Sequence, residues 1–411
     1  MLKSNRRLFK TVDAYSSFEW CAAIDAVSEI TNSENAFDAL KKFHEEKQDW
    51  IFGSLTYDLK NELENVSSKN FDGLDFPSIH FFQPEYMFLK NESGIHFSCL
   101  SGDGRQKLPG LLDEIKSFSN PSEEIGFEGS VLPRISGNDY VRSVVEIQKH
   151  IQRGDIYEMN YCVEFYAERK ISNPALLYEK LNELSPMPFS CFYKNHHQYL
   201  LSASPERFLA KRGSKIISQP IKGTARRGKS EVEDQRIIEK LRNDEKEKSE
   251  NVMIVDLVRN DLSRTAKRNS VHVEELFGIY TFRQLHQMIS TVVSEMKDGI
   301  HWTEVVRNAF PMGSMTGAPK IRAMELIEEF ESTKRGLYSG AIGYVTPEGD
   351  FDFNVVIRSI LYNEMKDYIS FMVGSAITIS SDPEKEYDEC MLKAEAMIKV
   401  LKNSMEEKAS H

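Results

Sequence analysis

Cysteine is scarce and scattered in this chain of 411 residues. The five stand at Cys21, Cys99, Cys162, Cys191 and Cys390, with no CxxC pair. That spacing argues against a zinc site or a disulfide framework and suits a reducing cytoplasm. Long apolar runs are also missing. None approaches the length that crosses a bilayer, so no membrane partner is expected. The opening Met1-Leu2-Lys3-Ser4-Asn5-Arg6-Arg7 lacks the apolar core of a secretion signal. Positive charge is in deficit: 52 Lys and Arg stand against 63 Asp and Glu, a net charge of −11. A nucleic-acid surface needs a basic patch, so that class of partner is excluded. No internal repeat or low-complexity tract appears. What is left, 40% hydrophobic residues with a mean hydropathy of −0.44, describes a soluble globular protein. Its length allows one large domain or two ordinary ones.

The first third holds apolar runs at 51–57, 79–82 and 86–90, which read as strands with short helices between them. Residues 118–137, with Ser119, Pro121, Gly126, Pro133 and Gly137, read as a connection. A helix is expected next, capped by Asn138. Tyr140, Val144, Ile147 and Ile151 form its apolar stripe and Gly154 follows its end. Near the C-terminus, 337–345 and 351–361 flank the turn Pro347-Glu348-Gly349-Asp350, and 368–379 reads as the next strand. Ser381 and Glu384 then form the capping box of a last helix. Hairpins in series mixed with long helices give an α+β class, not a doubly wound parallel sheet.

Several residues could carry chemistry. Gln219-Pro220-Ile221-Lys222-Gly223-Thr224 sets Lys222 in a short loop between a rigid proline and a permissive glycine. A loop lysine is ordinarily a solvated charge. Aimed into a site and deprotonated, it is a nucleophile. Glu247/Glu250 and Glu386/Glu389 are two Glu-x-x-Glu pairs in helical sequence, where residues three apart share a face. Solvated helix faces explain such pairs; so does a cation held between two helices, and carboxylates with water suit Mg2+. Gly313 to Pro319 precedes a helix expected over 320–330, whose free amides attract a carboxylate. Arg358, on a strand, could clamp a carboxylate with two hydrogen bonds, or simply face solvent.

These blocks, taken together, resemble the chorismate-utilising enzymes, the family of anthranilate synthase component I and aminodeoxychorismate synthase component I. The resemblance is carried by Ser202-Ala203-Ser204-Pro205-Glu206-Arg207-Phe208, by Gln219 to Thr224, and by Ser249-Glu250-Asn251 running into 255–262. It continues with His286-Gln287-Met288, Thr316-Gly317-Ala318-Pro319-Lys320, Ser339 to Tyr344, and Asp388-Glu389 followed by Lys393-Ala394. The blocks keep family order from about 137 to 400. Lysine in the Pro-Ile-Lys-Gly-Thr block looks like the aminodeoxychorismate branch, since the anthranilate branch usually has alanine there.

The resemblance implies a layered α/β/β/α core of two packed, mainly antiparallel sheets with outer helices. Residues 1–130 would pack on the same body as a chorismate-binding catalytic region at 131–411. It implies that Lys222 attacks C2 of chorismate, that Glu206 protonates the departing 4-hydroxyl, and that ammonia then attacks C4 and expels the lysine. Glu250 and Glu389 would bind Mg2+ directly, with Glu247 and Glu386 acting through water. Thr224, His286, Thr316, Gly317, Ala318, Tyr344, Arg358, Gly374 and Lys393 would line the substrate. Gly374-Ser375-Ala376 replaces the usual Gly-Ala-Gly, and the side chain at 376 narrows the approach of the backbone. An acidic protein repels a dicarboxylate, so the site must supply local positive charge. No Gly-x-Cys-x-Gly turn is present, so ammonia is expected from solution or from a separate glutamine amidotransferase subunit. No Leu-Leu-Glu-Ser occurs in the N-terminal third, which argues against tryptophan regulation.

Overall fold

The computed structural model describes residues 1–3, 15–16, 18–31, 34–118 and 125–406. Ser4 to Arg7 of the opening segment, and Ser119 and Pro121 of the connection, lie outside the described residues. The strands are β1 (Leu2–Lys3), β2 (Trp20–Thr31), β3 (Ile51–Leu55), β4 (Ile79–Asn91), β5 (Gly94–Cys99), β6 (Leu132–Pro133), β7 (Glu158–Glu168), β8 (Phe189–Asn195), β9 (Gln198–Ser204), β10 (Arg207–Arg212), β11 (Lys215–Gln219), β12 (Ile221–Arg226), β13 (His272–Thr281), β14 (Leu285–Glu295), β15 (Gly317–Ala318), β16 (Ala341–Val345), β17 (Phe351–Val355), β18 (Ser359–Asn363) and β19 (Tyr368–Ile377). The helices are α1 (Ala36–Lys47), α2 (Lys60–Leu63), α3 (Gly104–Ser117), α4 (Gly137–Arg153), α5 (Pro174–Leu184), α6 (Glu231–Arg242), α7 (Glu245–Ser263), α8 (Trp302–Ala309), α9 (Lys320–Phe330) and α10 (Pro383–Glu406). Among the described residues no helix is long and apolar enough to cross a membrane.

Every pairing between these strands is antiparallel. One layer runs β13-β14-β11-β10-β17-β16-β3-β4-β2, with β12 also on β14. The other runs β8-β9-β18-β19-β7, with β6 and β15 on β7. Strand β1 joins them, pairing Leu2 with Ala22 on one side and with Phe192 on the other. A twisted sheet this wide splits into two packed layers, which buries both inner faces.

Side-chain alternation shows the layering. On β7, Tyr161, Val163, Phe165 and Ala167 pack with α4, α5 and α10, whereas Cys162 faces the other sheet. On β19, Ile369, Phe371 and Val373 face the helices, while Tyr368 and Met372 face inward. Helices α1, α7 and α8 cover the far side through Phe37, Leu40, Ile254, Val258, Trp302 and Val306. Burying each such side chain contributes about 1.5–3 kcal/mol. The expected α/β/β/α arrangement is the one observed.

Three local expectations are corrected. Ser136, not Asn138, caps α4: its hydroxyl accepts from the Asp139 amide, and Gly154 ends the helix at φ 83°. Asp382, not Ser381, caps α10, accepting from the Lys385 amide. Ser381 is buried and serves the Thr378 amide instead. The strand expected over 351–361 is broken at 356–358, where Arg358 takes φ 50°.

Candidate active site

The two ends of the wound sheet meet over a cavity of about 790 Å3. Strands β12 and β19, helices α7 and α10, and the segments before β10, β15 and β18 line it. That size suits a small-molecule site.

Lys222 lies on a strand rather than in a loop. Its strand slips register against β14 between Ile221 and Thr224, and Gly223 takes φ 84°. A bulge of this kind re-aims a side chain. Here the ammonium turns inward and meets Glu158 Oε1 of β7 at 2.6 Å. A Cβ on Gly223 would come within 3.1 Å of Glu247 Oε2, so glycine also lets β12 lie close to α7. Burial acts to depress the Lys222 ammonium, but Glu158, Glu250 and Glu206 outweigh it and hold its pKa above the ordinary value.

Glu206, between β9 and β10, is buried and accepts a hydrogen bond from Ser314 Oγ at 2.6 Å. Burial raises its pKa to about 7, against the opposing pull of Ser314 and Lys222. The β10–β11 hairpin brings it to the same cavity as Lys222. Arg358 faces the cavity too. Burial lowers its pKa to about 10, partly offset by Glu206, and its guanidinium has no hydrogen bond or ion pair with the described residues. Its left-handed φ is what turns it from the strand line into the site. Lys393 of α10 donates to the Gly374 carbonyl at 2.8 Å and pairs with Glu389 at 2.7 Å. Thr224 and Gly374 line the walls. A Cβ on Gly374 would meet Cys162 Sγ at 2.5 Å, so only glycine fits.

Glu247, Glu250, Glu386 and Glu389 all line the same cavity. Burial pushes Glu250 up to about 7 and also raises Glu247, where Glu389 adds repulsion. Lys393 holds Glu389 low. Glu250 Oε1 is buried without a hydrogen-bond partner among the described residues. Lys246 stands 3.7 Å from Glu250 and 3.3 Å from Glu386. No three of these carboxylates gather within 4.8 Å of one another. An open, under-neutralised set of oxygens fits Mg2+, which binds through few carboxylates and keeps several waters. The tight acidic group at Glu85, Cys99 and Asp103 lies elsewhere, and Lys107 already neutralises it, 3.2 Å from each carboxylate.

Residues 6–399 match the chorismate binding enzyme family. The chain belongs to that family. This chorismate binding enzyme is 42% identical over 330 residues to "Aminodeoxychorismate synthase, chloroplastic" of Arabidopsis thaliana, covering 77% of this chain and 35% of the plant protein. It therefore spans about a third of that relative's length. It is 32% identical over 371 residues to aminodeoxychorismate synthase component 1 of Bacillus subtilis, covering 88% of this chain and 78% of the other. The solved structure of anthranilate synthase component I from Streptococcus pneumoniae superposes with a TM-score of 0.81 at 25% identity, covering 92% of this chain and 91% of that one.

Five expected contact residues of the chorismate binding enzyme do not line the cavity. His286 is fully buried, with Nε2 at 2.8 Å from Asp234 Oδ1 and Nδ1 at 2.9 Å from Thr281 Oγ1. Both its nitrogens are used by the fold. Thr316 donates to the carbonyls of Met312 and Gly313, and Gly317 and Ala318 pair with Met159 and Glu158 of β7. That pairing builds strand, so the segment before α9 offers Ser314 and Met315 to the cavity instead. Tyr344 is core, packed on Phe18, Trp50 and Phe52.

Sequence reasoning also missed residues. Gln287 lines the cavity with a buried Oε1 that has no hydrogen-bond partner among the described residues. It adjoins His286 on a strand, so the two face opposite sides. Ser314, Lys246 and Glu158 were equally unmarked. Glu158 opens a strand that also carries Asn160, Glu164 and Glu168, so nothing in the sequence singled it out.

Proposed function

We propose that the chain is an aminodeoxychorismate synthase component I, converting chorismate and ammonia to 4-amino-4-deoxychorismate for para-aminobenzoate and folate synthesis. The observation that carries this reading is Lys222, buried at the cavity beside Glu206. An acid with a pKa near 7 and a directed amine are what displacement of a ring hydroxyl requires. Lys222 would form the bond to C2 as Glu206 gives its proton to the departing 4-hydroxyl, releasing water. Ammonia would then bond at C4 and expel the lysine. Arg358, whose guanidinium makes no hydrogen bond or ion pair among the described residues, would hold one substrate carboxylate, and Lys393 would add charge beside Gly374. Thr224 and Gly374 would pack against the ring.

Glu250 and Glu389 would hold Mg2+, with Glu247 and Glu386 reaching it through water. The ion would supply an anchor and positive charge for the ring carboxylate. We place the protein in the cytoplasm with a separate glutamine amidotransferase partner: its five cysteines are free, and none sits in a glutaminase-type turn. Incubation of purified protein with chorismate, Mg2+ and an ammonium salt, followed by mass and ultraviolet spectra of the product, tests the reading. Anthranilate as the main product would assign it to the other branch.

A further inference from the structure

We propose that Glu158 is the base that takes the proton from Lys222 and later returns it, so that the nucleophile rests as an ion pair and becomes an amine only during turnover. The proposal rests on the reading of Lys222 as nucleophile. Four observations lead to it. The two groups touch at 2.6 Å, and Glu158 is 1% exposed. Its second oxygen, Oε2, is buried with no donor among the described residues. Its backbone is fixed on both sides of β7, where Glu158 pairs with Ala318 and Met159 with Ile377. The backbone that carries the carboxylate is therefore held in place beside Nζ.

The other carboxylates that raise the Lys222 pKa, Glu250 and Glu206, act on it without a hydrogen bond. Glu206 is bound by Ser314 and faces Arg358. Glu250 and Glu247 of α7 belong to the carboxylate set shared with Glu386, and Lys246 stands beside that set. Glu389 of α10 is paired with Lys393. Among the described residues, Glu158 alone is in hydrogen-bond contact with Nζ.

The step balances. A proton passes from Nζ to Glu158 Oε1, giving a neutral amine and a carboxylic acid. The freed electron pair forms the bond to C2. The two ring double bonds shift, and the bond from C4 to oxygen breaks with the proton from Glu206. When ammonia expels the lysine as an amine, Glu158 gives the proton back and the ion pair reforms.

Glu158→Gln tests this, assayed with Mg2+, chorismate and ammonium from pH 6.5 to about 9. A general base contributes roughly 10²–10⁴-fold. We expect a loss of about a hundredfold or more at pH 7, narrowing by about tenfold per pH unit relative to wild type as solvent takes over the proton. Activity within threefold of wild type at pH 7, or a deficit equal at every pH, would overturn the proposal. A measurement on the wild type stands beside it. Competitive acetylation with acetic anhydride, read by mass spectrometry, should give Lys222 a titration midpoint above that of the exposed lysines. A midpoint at or below theirs means that no ion pair exists, and the proposal falls. A fully active Lys222→Ala would instead remove the nucleophile reading, whatever Glu158→Gln does.

Discussion

Lys246 of α7 reaches Glu386 of α10 at 3.3 Å, so a single ammonium bridges the two helices that carry the candidate metal carboxylates. It also stands 3.7 Å from Glu250. One lysine cannot neutralise this set alone, since Glu247 and Glu250 both remain above their ordinary pKa.

Mg2+ should therefore raise the thermal midpoint of the protein. A ligand at roughly a hundredfold excess over its Kd stabilises by about 2.7 kcal/mol. Glu250→Gln or Glu389→Gln should abolish turnover and remove most of this shift while circular dichroism stays native. Mg2+-independent turnover, or an unchanged melting curve at millimolar Mg2+, would end the metal assignment.

Stability without Mg2+ should fall as pH rises from about 4.5 through about 7. Glu206 and Glu250 have folded-state values of about 7 against ordinary values of 4.5. Between those limits the native state binds more protons than the unfolded one, so raising pH favours unfolding, by about 3 kcal/mol for each group as an upper bound. Glu206→Gln should flatten the slope of urea stability against pH. For the same reason wild-type kcat/KM should decline above pH 7 as Glu206 loses its proton; a profile level to pH 9 would contradict the acid role.

Lys222→Ala should lose the para-type product while chorismate still binds, because Arg358 and the carboxylate set are untouched. Ammonia could then use the vacated space at C2 and give slow anthranilate formation. Mass and ultraviolet spectra separate the two products. An unimpaired variant making 4-amino-4-deoxychorismate rejects the nucleophile.

Arg358→Gln should raise KM for chorismate by about tenfold or more with a smaller effect on kcat, as expected for a group that binds ground and transition states alike. A kcat loss at constant KM would show that Arg358 acts only in the transition state.

Glutamine should support turnover only after a glutaminase subunit is added, whereas ammonium should suffice alone. Glutamine-dependent turnover by the isolated chain would contradict the partner assignment.

How much of this was legible in the sequence depends on distance along the chain. Glu247 with Glu250, and Glu386 with Glu389, were readable because a helix puts residues three apart on one face. The α+β class followed from hairpins and long helices. Tyr344 was readable either as substrate wall or as core, and its ring contacts decide for core. The state of Lys222 was not readable. Burial and a nearby cation suggest a depressed pKa, but β7 and β12, at opposite ends of the sheet order, bring Glu158 against it, and the shift reverses. The segment before α9 looked open for the same reason: Gly317 and Ala318 pair with a strand that lies far upstream. His286 was chosen over Gln287 by residue type, although strand alternation gives them opposite faces and only Gln287 lines the cavity.

The seam at β1 and the meeting of β7 with β12 also bear on how the chain folds. Pairings such as Leu2 with Phe192, Leu55 with Ala341 and Met159 with Ile377 join segments distant in sequence. Contacts of this kind require long loops to close before they reward the chain, which slows folding. Lys222 and Glu158 can touch only when both layers have formed and stacked. On the proposed roles of these two residues, catalytic competence would be the last thing the chain acquires, and its appearance would report complete assembly.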